Sequence, residues 1–152
     1  MADRILDSIE SPNMLALLTD EELAILAGEI RDEILNTTSQ TGGHVASSLG
    51  AVEIILAVHS LINSPEDKFI FDVGHQSYAH MLLTGRRDEF STLRQYKGLS
   101  GFPKPHTNPH DVHPSFRSPA GLRGRAIFRG RSRRSLRSSA MPLLLAAWRS
   151  RP

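Results

Sequence analysis

Apolar residues recur at Leu23, Leu26, Ala27, Ile30 and Ile34, the spacing of one face of an α-helix. Just ahead of them, Thr19-Asp20-Glu21-Glu22 has the form of a capping box. The Thr19 hydroxyl can accept from the third helical amide, while Glu22 reaches back to the cap. Together they predict an amphipathic helix from about 20 to 36. Before it, Ile5 to Asn13 is a weakly patterned lead-in, and after it Thr37 to Gly43 is a break. A second helix is predicted from about 46 to 62, with Leu49, Val52, Ile55, Leu56 and Val58 apolar, ending at Asn63-Ser64-Pro65 because proline cannot continue a helix. Lys68 to Val73 has the pattern of a short buried strand. A helix from about Gln76 to Leu83 follows, closed by Thr84-Gly85-Arg86-Arg87. Ser91 to Gln95 suggests a further helical turn or two, and Gly98 to His113, rich in Gly, Pro and His, an extended loop. Helix, strand, turn and helix in this order predict an α/β layer architecture around a parallel sheet.

The charges divide the chain. Residues 1–114 hold 8 Lys and Arg and all 16 Asp and Glu, whereas residues 115–152 hold 10 Arg, no Lys and no acid. The overall charge of +2 is therefore the average of an acidic domain over 1–114 and a basic tail over 115–152. All seven histidines precede the division. The tail is dominated by Arg, Ser, Ala, Leu, Gly and Pro, which predicts irregular or disordered chain. Its arginines could meet nucleic-acid phosphates. With only Phe116, Phe128 and Trp148 for stacking and no recognisable motif, no specific nucleic-acid partner is expected. There is no cysteine, Met1-Ala2-Asp3-Arg4 does not open a signal peptide, and no apolar run approaches the roughly 20 residues of a membrane helix. A cytoplasmic protein without a membrane partner is the expectation.

Two glycine-flanked histidines carry the candidate chemistry. One lies in Thr41-Gly42-Gly43-His44-Val45-Ala46-Ser47-Ser48-Leu49-Gly50, the other in Asp72-Val73-Gly74-His75-Gln76-Ser77-Tyr78. Glycine lets the backbone approach a ligand closely, a helix start offers free amides to an anion, and histidine exchanges protons near neutral pH. From spacing alone, His44 could equally be a histidine at a helix start with no chemistry. His75, at the C-terminal end of a predicted strand, where ligands bind in open α/β sheets, could be a plain turn residue.

Both segments resemble the N-terminal end of the 1-deoxy-D-xylulose 5-phosphate synthases, thiamine-diphosphate enzymes of the transketolase group. The shared patterns are Gly-Gly-His-x-Ala-Ser-x-Leu-Gly and Asp-Val-Gly-His-Gln-x-Tyr. The resemblance runs from residue 5 to 114. It implies that His44 faces the reactive end of the cofactor and takes part in proton transfer, so His44 is the candidate catalytic residue. It implies that His75 contacts thiamine diphosphate, so His75 is the candidate cofactor-binding residue. It also implies Mg²⁺, a homodimer, and the condensation of pyruvate with glyceraldehyde 3-phosphate with loss of CO2, in isoprenoid, thiamine and pyridoxal precursor synthesis. The loop Gly98-Leu99-Ser100-Gly101-Phe102-Pro103 would lie beside the active site, bringing Lys104 and His106 near substrate without a role for either. Tyr78 is expected to serve packing, His80 has no assigned role, and Arg86-Arg87 is expected at a solvated helix terminus. His106, His110 and His113 sit in a Pro-rich loop without cysteine or carboxylate pairing, so no metal site is expected there.

The resemblance stops near Pro114. The family's Gly-His-x-Ser turn and its Gly-Asp motif, whose aspartate binds Mg²⁺, do not occur in residues 115–152. Read out of frame, however, residues 140–152 can encode Gly-Asp-Ala-Ala-Leu-x-Gly-Gly-Met-Ala-Phe-Glu-Ala, with the single-codon Met141 and Trp148 limiting the choices. The tail is thus expected to follow a frame shift near Ser115. The 152-residue chain would be an incomplete N-terminal part of the diphosphate-binding domain, without metal ligands and inactive alone. Two further readings are the small subunit of a split transketolase-like enzyme and a non-catalytic basic protein that binds nucleic acid.

Overall fold

A computed structural model describes residues 4–71 and 73–112. Asp72, His113 and the arginine tail lie outside the described residues.

The longest element is α2, Asp20–Thr41. Its start matches the capping box: the Glu22 amide donates to Thr19 Oγ1 at 3.2 Å, and the Thr19 amide donates to the Glu22 carboxylate at 2.8 Å. Leu23, Leu26, Ala27, Ile30 and Ile34 are all buried, so one stripe of α2 forms the spine of the core. The helix runs past the expected end near residue 36. Thr38 and Thr41 tie their hydroxyls back to the carbonyls of Ile34 (2.6 Å) and Thr37 (3.0 Å), and the buried faces of Thr37 and Thr38 extend the packed stripe. Gly42, at φ +73°, stops it.

Before α2, the residues expected to be a weakly patterned lead-in form two short pieces, α1 (Ile5–Ser8), which packs on α2, and a 3₁₀ segment Pro12–Leu17, which packs on residues 52–59; Leu6 and Leu15 are buried in the core. Glu29 of α2 accepts from the amides of Ile5 and Leu6 and so satisfies two of the free donors at the start of α1.

The expected helix over 46–62 is two helices, α3 (Val45–Leu49) and α4 (Val52–His59). They part at Gly50 and Ala51, where glycine is a poor helix former. On α4, Val52, Ile55, Leu56 and Ala57 are buried, and an Arg31–Glu53 ion pair joins it to α2. The last helix, α5 (Tyr78–Leu83), starts two residues later than expected and is buried along its whole length. A 3₁₀ turn at Phe90–Thr92 stands where one further helical turn was expected, and Phe90 and Leu93 fill the core beneath it.

The expected strand is not formed. Among the described residues there is no strand, and Lys68 makes only an isolated bridge. Phe69 and Phe71 have their rings 4.4 Å apart and are partly buried against the core, but among the described residues no neighbouring segment offers them a ladder of hydrogen bonds. The described part is a helical layer, and the parallel sheet expected from the alternation of elements is not seen in it.

Candidate functional site

Two turns bring the paired histidines together. After α2, Gly42 (φ +73°) and Gly43 (φ +145°) redirect the chain into His44, which directly precedes α3. A Cβ on Gly43 would lie 2.7 Å from the Tyr78 hydroxyl and 3.3 Å from its ring, so only glycine fits this approach. The second turn has two successive residues in the left-handed region, Val73 (φ +66°) and Gly74 (φ +87°). Positive φ on a β-branched valine is strained, the kind of backbone found where surrounding structure imposes a special turn. Here the surroundings are visible. Ser77 Oγ donates to Gly74 O at 2.7 Å, while Ser47 and Ser48 of α3 both donate to the His75 carbonyl at 3.2 Å.

The imidazoles of His44 and His75 meet edge to face with centroids 5.7 Å apart. His44 is exposed and His75 half-buried. Phe102, from the loop after the 3₁₀ turn, approaches His44 on another side at 6.1 Å. The His44 amide donates to Tyr78 Oη at 3.3 Å. Tyr78 is fully buried and packs edge to face on Phe90, as expected, but its hydroxyl also fixes the His44 turn. That second role has no local signal in the sequence, because its partner is 34 residues away.

His80, without an assigned role from sequence, lies in a buried polar chain (His59, His80, Asp111, Arg86). His59 Nε2 and His80 Nδ1 are 2.9 Å apart, and His80 Nε2 is 3.0 Å from Asp111 Oδ1. An ionised carboxylate only accepts, so His80 Nε2 carries the proton given to Asp111, and His80 Nδ1 accepts from His59 Nε2–H. Arg86 grips Asp111 with both Nη1 (2.7 Å) and Nη2 (3.0 Å). Arg86 is therefore not on a solvated terminus, as its sequence context suggested. It is buried, and a bidentate carboxylate satisfies its charge. Arg87 is half-buried and donates to the Leu6 carbonyl at 2.6 Å.

Burial pushes His59 well below the usual histidine range, aided by the neighbouring imidazoles of His80 and His110. Burial also lowers His80, with the Arg86 charge in the same direction, against the opposing pull of Asp111. For Asp111, burial alone would raise the carboxyl, but the hydrogen bonds from His80 and Arg86 and the Arg86 charge outweigh it and leave the group lowered. The two buried histidines are thus neutral in the fold and bind protons more readily once unfolded. Stability is full above the unfolded value of 6.5 and is lost as pH falls through it toward the lower folded values. The melting temperature of the chain is expected to hold steady between pH 8 and 7 and to fall from pH 6.5 to 5; a flat Tm over that range would contradict the neutral pair.

Of the other histidines, His106 is exposed and His110 sits 2.7 Å from Ser64 Oγ through Nδ1. Lys104 exposes its side chain and gives its amide to Asp111 at 2.6 Å. Among the described residues no group of three His, Cys, Asp or Glu is placed to hold a metal ion, and no helix is long and apolar enough to cross a membrane.

The family model for 1-deoxy-D-xylulose-5-phosphate synthase matches residues 6–123, which carries the likeness past Pro114. Curated proteins of that name match over the same part. The one from Desulfotalea psychrophila is 56% identical over 108 residues, which is 71% of this chain and 17% of that protein. The one from Thermus thermophilus is 58% identical over 108 residues, covering 71% and 18%. That from Dehalococcoides mccartyi is 53% identical over 130 residues, covering 83% and 20%. The chain thus spans no more than about a fifth of the length of these relatives. With its two histidine turns lying inside a match that takes in most of its length, the chain belongs to the 1-deoxy-D-xylulose-5-phosphate synthase family, in the N-terminal part of it.

Proposed function

We propose that residues 1–114 supply one wall of a thiamine-diphosphate site in a synthase that joins pyruvate to glyceraldehyde 3-phosphate, releasing CO2. The observation that carries this reading is the convergence of His44 and His75 from two glycine turns, with ring centroids 5.7 Å apart. The donor set fits such a cofactor: one exposed and one half-buried imidazole, each on a turn where positive-φ glycine permits close approach. When bound, thiamine diphosphate supplies the electron sink for carbon–carbon chemistry, and the protein supplies binding and orientation. His75, its carbonyl anchored by Ser47 and Ser48, is assigned to hold the cofactor. His44, exposed and held from behind by Tyr78 Oη, is assigned to take and return a proton on substrate. Mg²⁺ belongs with the diphosphate in this reading, and its ligands are assigned to no residue of this chain. Residues 68–71 are assigned as a strand that pairs with further strands of the whole synthase, which we place in the cytoplasm as a homodimer.

The tail over 115–152 is read as an out-of-frame continuation. Sequencing the coding DNA tests this: the codon for Ala140 should end in G and that for Ala147 in A, and any other third base at either position rejects the frame shift. A polypeptide of these 152 residues is expected to show no turnover with both substrates, thiamine diphosphate and Mg²⁺. The cofactor assignment is tested in a chimera, with the matching segment of the Thermus synthase replaced by residues 6–112 of this chain. There His75→Ala is expected to weaken thiamine diphosphate by about tenfold or more, the loss of one charge-assisted or well-placed hydrogen bond. An unchanged cofactor affinity in a folded His75→Ala chimera would remove His75 from the site.

A further inference from the structure

Asp111 has no place in the chemistry proposed above, yet it is the most heavily bonded side chain in the described residues near the site. Its two oxygens accept from His80 Nε2 (3.0 Å), Arg86 Nη1 (2.7 Å) and Nη2 (3.0 Å), and the Lys104 amide (2.6 Å). The carboxylate is fully buried. Two of these donor residues, His80 and Arg86, belong to α5 and the turn after it, and Asp111 and Lys104 belong to the loop that follows the 3₁₀ turn. A second tie joins the same two pieces: Asn108 Nδ2 donates to the Thr84 carbonyl at 3.0 Å. Thr84 in turn accepts from Arg86 through its hydroxyl at 2.6 Å. The loop is therefore clasped to α5 at its C-terminal end. Its other end, at Gly101 and Phe102, is the part that meets the histidine site: a Cβ on Gly101 would lie 3.8 Å from Tyr78 Oη, and Phe102 lies against His44. The helix that holds the clasp also begins with Tyr78, which holds the His44 turn. One short buried helix thus references both the histidine and the loop that faces it.

We propose that Asp111 is a positioning residue: it latches the loop from Gly98 to Val112 onto α5 and, through Phe102, sets the placement of the His44 imidazole. The proposal rests on the reading of His44 as the proton-transfer residue for its functional meaning, but the placement itself is measurable without cofactor or substrate. Dense charge-assisted bonding suits this role, because a carboxylate with every lone pair engaged by groups on two segments fixes their relative position more tightly than apolar packing does.

The test uses the 152-residue chain and two readouts, histidine imidazole NMR and amide hydrogen exchange. Three variants are compared: Asp111→Asn, which removes the charge; Lys104→Pro, which removes the loop amide donated to Asp111 and leaves the carboxylate; and Phe102→Leu, which removes the ring beside His44. Asp111→Asn and Lys104→Pro are each expected to raise exchange across 99–112 by about tenfold or more, as local opening does, while α2 amides keep their protection. Both are expected to move the His44 Cε1–Hε1 resonance in the direction that Phe102→Leu moves it. Faster loop exchange with an unmoved His44 resonance would reduce Asp111 to a structural tie and overturn the proposal, as would an unchanged loop. If Asp111→Asn costs the protection of α2 as well, Lys104→Pro decides, since it leaves the Arg86 and His80 contacts in place. A failure of the cofactor assignment would show in the chimera and leave these resonances as they are.

Discussion

Asp111→Ala is expected to cost about 3–5 kcal/mol of folding stability, the usual price of removing one partner from a buried ion pair. The Arg86 guanidinium would be left buried with no carboxylate, its Nη2 held only by Thr84, and the His80–His59 chain would lose its acceptor. Single domains have only about 5–15 kcal/mol in total, so this one change removes a large share of the stability. Urea unfolding followed by far-UV circular dichroism reads the effect. A loss under about 1 kcal/mol, the size expected of a surface pair, would mean that the network does not hold the fold together. Replacing both partners with apolar residues, Asp111→Leu with Arg86→Met, should recover much of the loss, because the cost lies in the stranded charge more than in the missing bonds.

Gly43→Ala should strike the histidine site directly. The new methyl would sit 2.7 Å from Tyr78 Oη, 3.3 Å from the Tyr78 ring and 3.4 Å from Thr38 Cγ2, at a φ of +145° that alanine avoids. Tyr78 cannot step aside, since it is fully buried on Phe90, and Thr38 is fixed to the Ile34 carbonyl. The turn must move instead, breaking the hydrogen bond from the His44 amide to Tyr78 Oη, at a strain cost of about 1–3 kcal/mol. Gly42→Ala is the matched control, because nothing lies within 4 Å of a Cβ there and only the φ of +73° opposes it. Gly43→Ala should displace the His44 resonance and lower Tm more than Gly42→Ala does; equal effects would show that the fit against Tyr78 is not what reserves position 43 for glycine.

What the sequence revealed and what it hid follows from distance along the chain. The start of α2 was legible because Thr19 and Glu22 are three residues apart and the apolar stripe repeats within one helix. Its end was not, because Thr37 to Thr41 have weak helix propensity and are carried on by side-chain bonds to the preceding turn. The helix over 46–62 was right in kind but hid the break at Gly50, whose cost depends on tertiary packing. Residues 68–71 carry a strand pattern that finds no partner among the described residues, since strand identity depends on a neighbour and helix identity does not. The histidine motifs identified the family and located both turns. Arg86 was misplaced on the surface because its partner Asp111 is 25 residues away, and nothing near either residue announces the pair.

The most direct test of the whole account is a steady-state assay of the chimera described above, with and without His44→Gln. The unsubstituted chimera should turn over pyruvate and glyceraldehyde 3-phosphate. His44→Gln should lower kcat by about 10²–10⁴, the contribution of a positioned proton-transfer group, with little change in thiamine diphosphate affinity. A folded His44→Gln chimera that binds cofactor and keeps kcat within a fewfold of the parent would contradict the assignment of the site.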